Sequence, residues 1–462
     1  MKEKLKLIAA NKVYSAMIIF VFAFIFRIVL LNTCQVNKIA PDGTGYHTLG
    51  VNLAKGNGLT LRQEKPFEKF YFREPVYPVF LGLCYKVYGI FGGTYNYITA
   101  YDLATRTYDS TAHHEIFFVK YVQAIFDSLS VVVFYLILLL VFKSSFAFVV
   151  ALLFCFNYPV AIHSVYILRE TIQLFITLCM SYSFALFLFR KKWLWLAVFS
   201  CLWGLSNLTL QVTVVIPFFM FFFLLFHLKN IYRVFSVILI STLIMFVFIS
   251  PWLIKVYRFY PDIRIVKTFG CSLTYEMLSY FDAIDKLQRN HKLTSVEATH
   301  LRRTAWGLNS FEQFKKSFDG TYLNFAASVD KKNLKSLGFF MFIKIGIKRF
   351  YHSWFNPISS LKAPLNFLKN NPILISLLVL THIVIAGFAF IGLFVYYKKI
   401  YPILLTFTTF ILLFYFLGSE ERRLIPAQPF IFMFGCLGIY YLYIRFFKKS
   451  KKSKSVLADN FH

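Results

Sequence analysis

The sequence predicts an all-α polytopic membrane protein, with about ten transmembrane helices and interfacial helices in two large extracytoplasmic loops. Three observations predict it. Hydrophobic residues make up 58% of the chain and charged residues only 15%, against about 25% charged in an ordinary soluble domain. The mean hydropathy is +0.61 over all 462 residues. Finally, the excess of 50 Lys+Arg over 21 Asp+Glu, a net +29, sits in short clusters between apolar runs. That is the pattern of membrane topology, in which basic residues stay on the cytoplasmic side. The same charge spread over a soluble domain would suggest nucleic acid, which this distribution argues against.

A spanning helix needs about 20 mostly apolar residues. Runs of that kind lie at about 14–32, 118–142, 145–163, 167–189, 193–209, 211–228, 233–254, 373–397, 400–418 and 423–446. The first run follows M-K-E-K-L-K and lacks a small-residue cleavage site, so it reads as a retained helix rather than a signal peptide. Lys2, Lys4, Lys6, Lys12, Lys143, Arg190–Lys192, Lys229 with Arg233, and Lys398–Lys399 mark alternate loops. With ten spans these clusters share one side, and both termini are cytoplasmic. The basic tail over 447–462 reads as a topology anchor that also suits anionic headgroups.

Two long segments, 32–117 and 255–372, then lie outside, within a single membrane domain covering 1–462. Aromatic and aliphatic residues continue through both, unlike a disordered linker. Pro75–Phe91 is too short and too bounded by Pro and Gly to span, and reads as an interfacial helix; Ser336–Phe355 is similar. Cys155, Cys179, Cys201 and Cys436 fall in apolar runs as small core residues. Cys34, Cys84 and Cys271 lie between spans, leaving room for one disulfide but implying no framework.

The first outer loop opens P-D-G-T-G-Y-H-T-L-G-V-N-L-A. Pro41-Asp42-Gly43 is a turn signal, and Tyr46, Leu49 and Leu53 recur at helical spacing, so Asp42 sits at or just before a helix N-terminus. There a carboxylate caps the helix, serves as a catalytic base, or does both. The helix dipole favours the ionised form that a base requires. Arg73 and Glu74 precede the interfacial helix, as a surface ion pair or as an anion contact from Arg73. Arg169 and Glu170 stand near the outer end of the fourth run, either neutralising one another or facing a cavity. Arg422 and Arg423 open the last run on the side where topology asks for no positive charge, beside Glu420 and Glu421. Arginine suits bidentate phosphate binding, and an ion-pair cluster is the plainer alternative.

His113-His114-Glu115 could ligate metal, but adjacent histidines lack the spacing of a zinc motif and read better as interfacial polar residues. No cofactor is assigned with certainty, and a divalent metal stays open, since the loop offers too few obvious ligands to assign one. Asn207-Leu208-Thr209 fits the glycosylation pattern but lies against the membrane. Phosphate-cradling loops and the G-x-S-x-G elbow are absent from the sequence, so ATP-driven transport within this chain is unsupported.

The pieces D-G-T-G-Y-H-T-L-G-V-N-L-A-K-G-N-G-L, R-E-P-V-Y-P-V-F-L-G-L, I-L-R-E-T-I-Q-L, S-P-W-L-I-K-V-Y-R-F-Y and E-R-R-L-I-P-A-Q-P-F follow one another along the chain. In order and membrane placement they resemble the lipid-phosphate-sugar-dependent glycosyltransferases of the GT-C superfamily, in particular the protein O-mannosyltransferase and aminoarabinose-transferase-like bacterial group. The resemblance implies an inverting transfer, on the outer face of a bacterial inner membrane, from a polyprenyl-phosphate sugar donor. The acceptor is a hydroxyl of a glycan, glycolipid or protein. It implies Asp42 as the base and Arg73, Arg422 and Arg423 as donor-phosphate contacts, with Tyr46, Glu74 and Glu170 in support. The chain departs from the family pattern at Leu210 and Gln211, where arginine and proline are usual, and at Lys255 and Val256, where arginine and asparagine are usual. Tyr95–Glu115 is an insertion-like addition. Sugar and acceptor are therefore unassigned. The alternative is a lipid or polysaccharide transporter or flippase without transferase chemistry, which explains the many spans but not two ordered outer loops bearing carboxylate and arginine motifs.

Overall fold

The structure is a computed structural model. It describes residues 11–33, 41–71, 73–98, 113–210, 213–214, 216–228, 230–259, 377, 380–396 and 425–447. The chain divides into two compact units, Met1–Lys255 with Ser353–Leu412 and Glu421–His462, and Val256–His352 with Leu413–Glu420.

Helices account for its architecture, and no strand occurs among the described residues. In chain order they are α1 (Lys12–Thr33), α2 (Pro41–Ala54), α3 (Val76–Ile90), α4 (His114–Leu138), α5 (Ser144–Phe154), α6 (Tyr158–Ala161), α7 (Glu170–Arg190), α8 (Trp193–Asn207), α9 (Ile216–Leu228) and α10 (Ile231–Phe259). They continue with α11 (Leu380–Tyr396) and α12 (Gln428–Phe447). Among the described residues, five helical segments are long and apolar enough to cross a bilayer: Lys12–Thr33, His114–Leu138, Glu170–Arg190, Ile231–Phe259 and Ile425–Phe446. The protein is thus an all-α, multi-pass membrane protein.

Several expected spans take a different form. The run at 145–163 is no straight helix: α5 and Tyr158–Val165 meet at 58°. Asn157 starts the second piece by accepting a hydrogen bond from the Val160 amide at 3.2 Å, and Pro159 sits in its first turn. Proline has no N–H to give to the Cys155 carbonyl four residues back, so a continuous helix is broken there. The runs at 193–209 and 211–228 yield α8 and α9, of 15 and 13 residues, both short of a full crossing. Their junction is knitted by polar contacts: Trp203 Nε1 donates to the Thr213 carbonyl at 2.7 Å, and Thr213 Oγ1 donates to Ser206 at 3.1 Å. The expected run at 400–418 and the Ser336–Phe355 helix lie outside the described residues.

The interior is tied together at membrane depth by Arg27 of α1, whose Nε donates to Asp127 Oδ2 of α4 at 2.7 Å, with the two side chains 0% and 1% exposed. At one end of α4 and α7, the helices α2 and α3 pack together. Tyr46, Val51, Tyr77, Leu81 and Tyr85 pack there with Ile116, Val119, Ile172 and Ile176. The pair α2 and α3 can approach closely because Gly50 faces Leu81 and Gly82 faces Leu53; a Cβ on either would fall 2.7 or 2.9 Å from those leucine Cβ atoms. The 15-residue α3 is a helix where one was expected over Pro75–Phe91, and it is too short for a full crossing. Cys84 on it is a buried free thiol.

Candidate active site

Pro41 opens α2 and Asp42 lies in its first turn. Proline suits that position because its missing N–H has no intrahelical partner there. The orphan amides and the helix dipole favour a carboxylate beside them. Tyr46 follows one turn later, on the same face as Asp42, and is 1% exposed. Its ring stands edge-on to Tyr77 of α3 at 5.0 Å.

Two arginines flank that ring. Arg73 places its guanidinium carbon 4.7 Å from the Tyr46 centroid, and its Nη2 donates to Asp42 Oδ1 at 3.0 Å. Arg169 stands 5.9 Å from the same centroid. Its Nη1 donates to Glu74 Oε2 at 2.5 Å and to the Thr209 carbonyl at 3.3 Å. The result is two ion pairs, Asp42–Arg73 and Glu74–Arg169, each with its guanidinium near the same buried phenol. The two pairs that sequence adjacency suggests, Arg73 with Glu74 and Arg169 with Glu170, give way to these longer-range ones. Burial raises the Tyr46 pKa above its ordinary value, the positive charges of Arg169 and Arg73 pulling back only in part. The phenol therefore stays protonated.

The outer pair is the more open: Arg73 and Asp42 are 31% and 27% exposed, Arg169 and Glu74 19% and 16%. Glu170, which starts α7, is buried. Arg422 and Arg423 lie outside the described residues; Ile425, the first described residue after them, is buried.

A second polar group lies below the first. His47, the residue after Tyr46, is fully buried on another face of α2. Its Nδ1 is 2.7 Å from the Tyr85 hydroxyl, and its Nε2 donates to the Asn96 carbonyl at 2.8 Å. Burial lowers the imidazole to about 4, so it is neutral at ordinary pH. His113 Nδ1 lies 2.8 Å from Glu115 Oε1, and one ligand atom from each of His47, His113 and Glu115 can be chosen so that all lie within 4.8 Å. The local reading of residues 113–115 misses this because His47 comes from a different part of the chain. Neighbouring contacts fix the loop between them: the Tyr97 hydroxyl donates to Asn52 Oδ1 at 2.8 Å, and Asn52 Nδ2 donates to the Thr60 carbonyl at 2.8 Å.

Fold and site together define an integral multi-pass membrane protein with a carboxylate–arginine cluster between its first two candidate spans. No protein-family model matches the chain, and no curated protein does. Among solved structures it is similar to the Archaeoglobus fulgidus oligosaccharyltransferase AglB in complex with an inhibitory peptide and a dolichol-phosphate. That match has 13% identity and a TM-score of 0.49, covering 95% of this chain and 51% of that one. A second structure of the A. fulgidus oligosaccharyltransferase, in complex with Zn and sulfate, matches at 12% identity and the same TM-score and coverage. The chain spans about half the length of these proteins.

Proposed function

We propose that this protein is a membrane glycosyltransferase that moves a sugar from a polyprenyl-phosphate donor to a hydroxyl acceptor on the extracytoplasmic face. The observation that carries the reading is Asp42, in the first turn of a helix, held by Arg73 and still partly open to an acceptor. Asp42 takes the proton of the acceptor hydroxyl as its oxygen attacks the anomeric carbon. The sugar–phosphate bond breaks on the opposite face, inverting the centre, and polyprenyl phosphate leaves. A base positioned in this way contributes about two to four orders of magnitude. Arginine neutralises the charge that grows on the leaving phosphate. Arg73 is placed to exchange its carboxylate for that phosphate, and Arg422 and Arg423 provide further phosphate contacts from the head of the last span. Tyr46 is the platform on which Arg73 and Arg169 rest, a cation–π arrangement that holds both charges in place. Glu74 and Glu170 support the cluster. The acceptor is a glycan, glycolipid or protein hydroxyl, and the setting is a bacterial inner membrane with both termini cytoplasmic.

Transport without chemistry has less in its favour: the fully buried Arg27–Asp127 pair is packed among helices rather than lining an open path. The test is Asp42→Asn, which preserves size and can still accept a hydrogen bond from Arg73. Transfer per folded molecule, from a polyprenyl-phosphate sugar to a hydroxyl acceptor, should fall by about two to four orders of magnitude at normal abundance. Rates within a few-fold of the parent would remove Asp42 from the mechanism.

A further inference from the structure

We propose that His47, His113 and Glu115 form a binding site for a divalent metal ion of the zinc class, with the Asn96 carbonyl as a fourth ligand. The site is separate from the proposed transfer chemistry, and Asp42 is not one of its ligands. Two imidazoles, one carboxylate and one carbonyl are a donor set that suits zinc, with bonds of about 2.0–2.2 Å to nitrogen and oxygen. Such bonds in a tetrahedron set the ligand atoms about 3.3 Å apart. The observed separations bracket that figure. His47 Nε2 and the Asn96 oxygen are 2.8 Å apart, His113 Nδ1 and Glu115 Oε1 are 2.8 Å apart, and the three side chains reach one another within 4.8 Å.

Burial strengthens the case. His47 is 0% exposed, Glu115 1% and His113 3%. A carboxylate taken so far from water needs a cation or a proton close by. His47 is also held as a ligand would be. Its Nδ1 meets the Tyr85 hydroxyl at 2.7 Å, which fixes the ring and turns Nε2 toward the other donors. An outer partner on the second ring nitrogen is what orients metal-binding histidines generally. Asn96 contributes from both ends of its residue, the carbonyl toward His47 and the amide to Glu115 Oε1 at 3.4 Å. The ion would join three stretches of chain: the helix that carries Asp42, the segment at Asn96, and the head of α4. Its role is to staple the first outer loop onto the second span.

The experiment needs no enzyme assay. The full chain is expressed with zinc in the medium, purified in detergent, dialysed against metal-free buffer, and its metal content measured by mass spectrometry. About one zinc per chain is expected in the parent and in His114→Ala, since His114 is exposed and lies outside the trio. Glu115→Gln and His47→Gln, which keep polar atoms near the original positions, should each fall below about a third of that occupancy. Where a variant does not fold, the parent alone decides: a strong chelator should lower its unfolding temperature, and added zinc should restore it. A parent that carries no zinc, and whose unfolding ignores both chelator and zinc, would overturn the site and leave a protonated His113 paired with Glu115. Full occupancy in folded Glu115→Gln would overturn it as well.

Discussion

Arg169, the residue just ahead of α7, pairs with Glu74 across 95 residues of sequence, its Nη1 donating to Glu74 Oε2 at 2.5 Å, while the adjacent Glu170 is buried in the first turn of the helix. The pair joins the approach to α3 to the outer end of a membrane-spanning helix. A main-chain hydrogen bond runs beside it, from the Val76 amide to the Leu208 carbonyl at 3.1 Å. Glu74 and Arg169 therefore fix where the loop bearing Arg73 meets the membrane helices.

Because the two side chains retain some solvent contact, their coupling is moderate. Glu74→Gln, Arg169→Gln and the double variant should give an interaction energy of about 1 kcal/mol in a thermal-unfolding cycle. The effect on transfer should be larger than the effect on stability, since Arg169 also supports the Tyr46 ring. Strictly additive single variants in both measurements would mean the pair is incidental.

Arg73 is predicted to behave differently. It is an open pair, so Arg73→Gln should change the unfolding temperature little, the stability effect being about 0–1 kcal/mol. Transfer should fall at least tenfold, because both the carboxylate and the leaving phosphate lose their guanidinium. Arg73→Lys keeps the charge but loses the planar fork and its stacking on Tyr46, and should recover only part of the rate. Equal rates for lysine and arginine would show that charge alone suffices.

Much of this was readable in the chain. The long apolar runs that become α1, α4, α7 and α10 show in hydropathy, and the Pro41-Asp42-Gly43 turn signal locates the start of α2 within a residue. The length and Pro/Gly borders of Pro75–Phe91 distinguish a short helix from a full span. Ion-pair partners were not readable. The observed partners lie 31 and 95 residues away, and no local pattern in the sequence encodes contacts of that range. The bend at Pro159 is concealed for another reason: hydropathy averages over a window and ignores a missing N–H. His47 gives no local sign of His113, because donors that meet through tertiary packing have no characteristic spacing.

The glycine contacts between α2 and α3 connect packing to the site. Gly50→Val places a branched side chain where Leu81 already sits, and overpacking of that kind costs about 1–3 kcal/mol. Since α2 carries Asp42 and Tyr46, the variant should lose activity as well as unfolding temperature. Pairing Gly50→Val with Leu81→Ala should restore part of both. A Gly50→Val protein with the parent's stability and rate would show that the two helices separate without consequence.

The last prediction concerns the intramembrane pair. Arg27 does more than neutralise Asp127. Its Nη1 donates to the Cys155 carbonyl and to the Ala23 carbonyl at 3.3 Å. In a continuous helix the Cys155 carbonyl would accept from the amide four residues ahead, but that residue is Pro159, which has no N–H. Arg27 thus supplies the donor that the bend between α5 and α6 removes, and balances a buried carboxylate. Arg27→Met leaves Asp127 without its cation and the carbonyl without its donor. Breaking a buried pair from one side costs about 3–5 kcal/mol, so this single variant should unfold at a much lower temperature in detergent. Arg27→Met with Asp127→Leu removes the stranded charge and should recover most of the loss. It should still fall short of the parent by about 1–3 kcal/mol, the cost of a buried carbonyl left unsatisfied. Adding Pro159→Ala returns an N–H to that position. If the carbonyl is what remains uncompensated, the triple variant should be more stable than the double, whereas Pro159→Ala in the parent, where Arg27 already serves the carbonyl, should bring little gain. Identical unfolding temperatures for the double and triple variants would separate Arg27 from the bend and leave it only the pair with Asp127.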